Sequence, residues 1–112
     1  MASDKSPNAD ATATIKRLLA GGWVAQIIQA AAELGLADYF GDDAQDAETL
    51  AGASGTHTPS LARLLRALAA IGIVNEHKGR RYTLTALGAT LRTNQPGSMR
   101  AWARQMMREG GL

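Results

Sequence analysis

Cysteine is absent from the 112 residues, which excludes disulfides and thiolate metal sites. Histidine is nearly as scarce: His57 and His77 have no companion at ligand spacing, so no metal site is expected. Aromatic side chains make up 4% of the sequence, and the core must therefore come from Ala, Leu, Ile and Val. No apolar run is long enough to span a membrane, because the most apolar segment, 18–37, is interrupted by Gly21, Gly22, Gln26, Gln29 and Glu33. The opening MASDKSPNADATA is polar and lacks the apolar stretch of a secretory signal. Residues 1–13 read as a flexible arm, and the cytoplasm is the expected location.

What remains is an ordinary globular composition, 46% apolar and 20% charged, of a length that suits one domain with a modest core. The net charge of +2 hides an uneven distribution. Residues 1–62 carry three basic and eight acidic side chains, net −5, and residues 63–112 carry nine basic and two acidic, net +7. Such polarity can attract a polyanion or let two subunits pair head to tail, and an unevenly charged solvated surface explains it equally well.

Ile15, Leu18, Leu19, Val24, Ile27, Ile28, Ala31 and Leu34 follow three- and four-residue steps, predicting a helix from Thr14 to Leu34. Trp23, Ala25, Ala30 and Ala32 make most of its remaining surface apolar too. Such a helix is normally covered on several sides, and a second copy of the chain is the expected cover. Gly21-Gly22 should weaken or bend the helix or admit another backbone, and Gly35 should stop it. A charge at Ile27 or Ile28 is expected to break the seam between copies.

LADYF (36–40) reads as a short helical turn, and Asp46 as the cap of a helix over 47–53. Gly55-Thr56 breaks that helix. Thr58 or Thr56 is expected to cap the next, with Pro59 in its first turn and Leu61, Leu64, Leu65, Leu68 and Ile71 on its buried face. IVNEH, a Lys78-Gly79 turn and RRYTLT predict a β-hairpin. ALGATLR returns to helix, Pro96-Gly97 breaks it, and Ser98 caps a final helix. The fold class is mainly α, a winged helix-turn-helix with a small β-hairpin wing and an N-terminal dimerisation helix.

Read as a DNA-binding module, the chain would place Arg63 and Arg66 in the major groove and Lys78, Arg80 and Arg81 on phosphates. The outer face of that reading helix is otherwise small and apolar (Ala62, Ala67, Ala69, Ala70), which suits protein packing better, so nucleic acid is not the expected partner. Trp23, Trp102, Met99, Met106 and Met107 could line a site for a flat apolar ligand. Trp102 and Met106, four residues apart, are expected instead to share a buried face.

Taken together, GGWVAQIIQAAAELGLADYF, DAETLAGASGTHTPSLARLLRALAAIGIV, GRRYTLTALGATLR and PGSMRAWARQM resemble the N-terminal dimerisation domain of bacterial S-adenosylmethionine-dependent small-molecule O-methyltransferases. The resemblance covers residues 14–108 and leaves 109–112 as a C-terminal tail. It implies a winged helix that does not bind DNA, a homodimer joined through the first long helix, and a role in covering a small hydroxylated aromatic or polyketide-like substrate. Trp23 and Gln26 match the family's Trp-Val-x-Gln stretch and, with Ile27 and Ile28, are implied dimer or ligand contacts. Met99, Trp102, Arg104 and Met106 match the segment leading to the substrate pocket.

Ala86 stands where the family usually has proline, and the EHKGRR tip is more basic than usual. In the family a His-type base would deprotonate the hydroxyl that attacks the methyl group of S-adenosylmethionine. No cofactor-binding strand-loop-helix and no catalytic His with an acidic partner can be read in residues 1–112, so the catalytic domain is absent from them. This chain is expected to hold no cofactor and to be non-catalytic in isolation. A dimeric winged-helix transcriptional regulator is the alternative, and an independent small-ligand module a third.

Overall fold

The computed structural model describes residues 7–108. Helix α1 spans Pro7–Leu34 and so begins at Pro7 rather than Thr14. Residues 7–13 of the expected arm are therefore helical, and the rest of that arm, 1–6, lies outside the described residues. Local propensity favours the earlier start. Pro7 is tolerated in a first turn and the alanines after it are strong helix formers, while the Thr14 hydroxyl donates back to the Asp10 carbonyl (3.0 Å) as a mid-helix threonine does. The helix runs unbroken through Gly21-Gly22, and a Cβ at either would meet nothing within 4 Å.

Gly35, left-handed at φ 64°, ends α1 and turns the chain into a 3-10 turn over Leu36–Tyr39. Strand β1, Gln45–Asp46, follows, and it was not foreseen. Asp46 then caps α2 (Ala47–Ser54), its carboxylate accepting from the Thr49 amide at 2.8 Å. Gly55, φ 70°, closes α2. Helix α3 spans Thr58–Ala70, and its cap is His57, not Thr58 or Thr56. The correction has a simple cause: the His57 carbonyl already accepts from the Leu61 amide, so Thr58 lies inside the first turn. The Thr56 hydroxyl pairs with Ser54 instead.

The wing is the hairpin of β2 (Val74–His77) and β3 (Arg81–Leu84), with β1 on the far side of β3. All pairs are antiparallel, with Gln45 opposite Tyr82 and Glu76 opposite Tyr82 on its other side. Thr85 caps α4 (Ala86–Ala89) through the Gly88 amide, and α5 covers Arg100–Arg108. The Ser98 hydroxyl accepts from the Arg100 amide at the start of α5.

The core joins Leu36, Leu50, Leu61, Leu65, Leu68 and Val74, all fully buried, with Ile27, Ala31, Phe40 and Tyr82 around them. Each large side chain so buried contributes roughly 1.5–3 kcal/mol. The α3 leucines thus weld α2, the wing and the C-terminal half of α1 into one body.

Gly88 is the most closely packed of the described glycines. A Cβ there would sit 2.2 Å from the Ile73 carbonyl oxygen, which already accepts from the Thr85 amide and hydroxyl. Gly88→Ala should therefore lower stability by about 3 kcal/mol or more in thermal unfolding. Gly52→Ala, in an open position of α2, should raise it by about 0.5–1 kcal/mol.

Candidate functional site

The apolar side chains of helix α1 meet different fates along its length. From Ile27 onward its apolar face is satisfied within the protomer: Ile27 is 7% exposed, Ala31 and Ala32 are buried, and Ile28 is half-buried against the core. Before that point the apolar side chains touch little. Ile15 is 56% exposed, Leu18 67%, Leu19 69% and Trp23 61%. Positions 15, 18, 19, 22, 23 and 26 fall on one helix face, so these side chains form a ridge with Gly22 in its midst and Gln26, also exposed, at its end. A contiguous exposed apolar surface of this kind marks an association site.

Ile27 is thereby corrected as an interface residue. It belongs to the protomer's own core, and a charge there acts on folding. Ile15, Leu18 and Leu19 were part of the expected stripe but not singled out. Periodicity revealed an apolar face without revealing how far along it the protomer's own cover extends.

The expectation that Trp102 is buried is also corrected. Helix α5 turns Ala103 toward the core and Arg104 toward α1, which leaves Trp102 61% exposed and Met99 exposed beside its start. The side chains of Met106 and Met107 lie outside the described residues.

A polar cluster joins α5 to the end of α1. Arg100 donates from Nε to the Ala32 carbonyl (2.8 Å) and from a terminal nitrogen to the Thr93 hydroxyl (3.1 Å). The Thr93 hydroxyl and amide both donate to the Asp38 carboxylate, and Arg104 pairs with Glu33 at 2.7 Å. Burial alone would raise the Asp38 carboxyl, but the Thr93 bonds and the Arg100 and Arg92 guanidiniums together bring it below the ordinary carboxylate value.

The cations of α3 and the wing have polar and acidic neighbours. Arg63, Arg66, Lys78, Arg80 and Arg81 are all exposed, but Arg63 leans on the Ser60 hydroxyl and Arg81 donates to the Ala44 carbonyl (3.1 Å). Arg66 and Arg80 line a cleft of about 230 Å³ whose wall also contains Asp46, Glu48 and Tyr82. Two carboxylates thus flank the space a phosphate would enter. Burial and the Glu76 carboxylate raise the Tyr82 phenol despite Arg66 and Arg80. Hydrogen bonds from the Thr49 amide and hydroxyl lower Asp46. His57 bonds Ser60 and His77 bonds Thr83. Among the described residues no three His, Asp or Glu side chains group as metal ligands, and no helix is long and apolar enough to cross a membrane.

A helix-turn-helix with a hairpin wing, mounted on a long helix that bears an uncovered apolar ridge, defines a winged-helix association domain. Residues 16–94 match the family model of the O-methyltransferase dimerisation domain, and the chain belongs to that family. It is 39% identical over 87 residues to phenazine O-methyltransferase PhzM of Lysobacter antibioticus, covering 78% of this chain and 26% of that protein. It is 39% identical over 82 residues to O-demethylpuromycin-O-methyltransferase of Streptomyces alboniger, covering 73% of this chain and 22% of that protein. Among solved structures, LaPhzM superposes with a TM-score of 0.80 at 36% identity, over 88% of this chain and 30% of that one. The SAH-bound form of CalO1, a methyltransferase in calicheamicin biosynthesis, gives 0.79 at 34% identity, over 93% and 31%. The chain thus spans about a quarter of the length of the curated relatives it matches.

The lowered Asp38 carboxyl gives a pH dependence with a definite sign. The unfolded carboxyl, titrating near about pH 4, binds a proton more readily than the folded one. The stabilisation from Asp38 is therefore complete above the unfolded value and is lost as pH falls through the folded one. Asp38→Asn should reduce the slope of stability against pH below about pH 4, measured by urea unfolding across that range.

Proposed function

We propose that this domain pairs two subunits of an S-adenosylmethionine-dependent O-methyltransferase and helps to cover its acceptor, a small hydroxylated aromatic or polyketide-like metabolite. The observation that carries the reading is the ridge of Ile15, Leu18, Leu19 and Trp23, left bare by its own protomer. A homodimer through the 15–26 segment of α1 would bury it. Trp23 and Gln26, at the end of the ridge, would touch the second subunit or its ligand, and exposed Met99 and Trp102 would face the acceptor.

The relatives support the acceptor class. Two are named for a phenazine and for O-demethylpuromycin, and NcsB1 was solved with S-adenosylmethionine and 2-hydroxy-5-methyl naphthoic acid. The described residues do not themselves fit the cofactor. A cradle for it needs a strand, a glycine-rich loop and a helix in succession, whereas Gly88, which follows β3, is packed on the Ile73 carbonyl. No step of the transfer is assigned to these residues, and the cytoplasm is where such an enzyme would act.

Light scattering should find a dimer. Leu18→Glu or Leu19→Glu should give a folded monomer, because a charge cannot stay unpaired in an apolar seam. Ile27→Glu should lower the unfolding temperature instead. A monomer at high concentration of the unmodified chain would remove the reading. Binding of mixed-sequence duplex DNA that weakens steeply with salt, and is lost in Arg80→Ala/Arg81→Ala protein, would establish the nucleic-acid alternative.

A further inference from the structure

We propose that Arg100 is a positioning residue, clamped by Thr93 and Asp38, that fixes helix α5 onto the C-terminal end of α1. The geometry is a relay across parts of the chain far apart in sequence. The Thr93 hydroxyl donates to Asp38 and accepts from Arg100, while the Thr93 amide holds the other carboxylate oxygen at 2.9 Å. Arg100 passes from that hydroxyl to the Ala32 carbonyl, in the last turn of α1. The Ala32 carbonyl also accepts from the Gly35 amide (3.1 Å), and the guanidinium adds a second donor and a positive charge at the partly negative end of the helix.

The surroundings are shaped for this side chain. Gly35 is left-handed, and a Cβ on it would lie 3.2 Å from the Arg100 guanidinium. Backbone and side-chain bonds hold the segment just before α5 as well. The Met99 amide donates to the Thr90 carbonyl (2.7 Å), and the Ser98 hydroxyl donates to the Arg92 carbonyl. One turn further along α5, Arg104 repeats the link to α1 through Glu33. With the clamp closed, the bare ridge of α1 and the Trp102 face of α5 belong to one rigid frame. Subunit pairing through α1 then also sets where α5 points, a consequence that rests on the pairing proposed above.

Backbone hydrogen exchange on the full chain tests the clamp. Thr93→Val keeps the side-chain shape and removes the hydroxyl, whereas Thr93→Ser retains it. In the valine variant the α5 amides should exchange about tenfold faster or more, with those of α3 and the hairpin within about twofold of the unmodified chain. The serine variant should match the unmodified chain. Arg100→Lys, which keeps the charge but loses the planar fork, should behave as the valine variant does. Equal α5 exchange in the valine and serine variants would overturn the proposal. So would an equal rise across α3 and the hairpin, which reports a weaker fold rather than one released helix. These amides report on contacts within a protomer, so the outcome is separable from the dimer measurement.

Discussion

Helix α1 is too long and too apolar for the body it belongs to. At 28 residues it extends about 42 Å, and the winged-helix core buries its apolar face only from Ile27 onward. Ile27, Ala31 and Ala32 are buried there, while Ile15, Leu18, Leu19 and Trp23 stand in solvent. Each uncovered large side chain forgoes roughly 1.5–3 kcal/mol of burial. The Gly21-Gly22 pair fits the same constraint. Two glycines within a helix cost conformational entropy, and nothing in the protomer approaches the space they leave open. A second backbone could use that space, which is why the pair supports association through the 15–26 segment of the helix.

Much of the winged helix is legible in the sequence because its signals are local. Asp46 caps α2, Gly55 and Gly72 take left-handed conformations beside α2 and α3, and Leu61, Leu65 and Leu68 recur at helical spacing on the buried face. What escaped depended on neighbours distant in sequence. Strand β1 is two residues long and exists because β3 lies beside it. Trp102 and Met106 have the spacing of a buried pair, but the packing of Ala103 and Arg104 turns Trp102 outward. Ile27 and Leu19 are equivalent as letters in an apolar stripe, and only the position of the core along α1 separates them.

Charge shows the same gap between chain and space. The sequence divides into an acidic first part and a basic second part, yet folding interleaves them. Asp46 lies opposite Arg81 in the sheet register, Arg104 meets Glu33, and Arg100 reaches Asp38 through Thr93. The cleft beside the wing mixes Arg66 and Arg80 with Asp46 and Glu48. A polyanion approaching α3 would meet carboxylates at the start of α2, where an open helix N-terminus would otherwise favour phosphate. The basic wing thus has carboxylates within its own cleft.

Cover and clamp meet in the two ends of one helix. The C-terminal end of α1 is held by Arg100 at the Ala32 carbonyl and by Arg104 at the Glu33 carboxylate, so its direction is tied to the core. The segment from Ile15 to Trp23 carries the hydrocarbon that the protomer leaves exposed. A rod fixed at one end and adhesive at the other transmits position: whatever docks on the ridge is placed in a fixed relation to Trp102 and Met99. Flexible attachment of α5 would let the two apolar surfaces drift independently, and the hydrogen bonds of Asp38, Thr93 and Arg100 oppose that drift. On the pairing proposed above, this arrangement would make the winged helix a rigid joint between subunits.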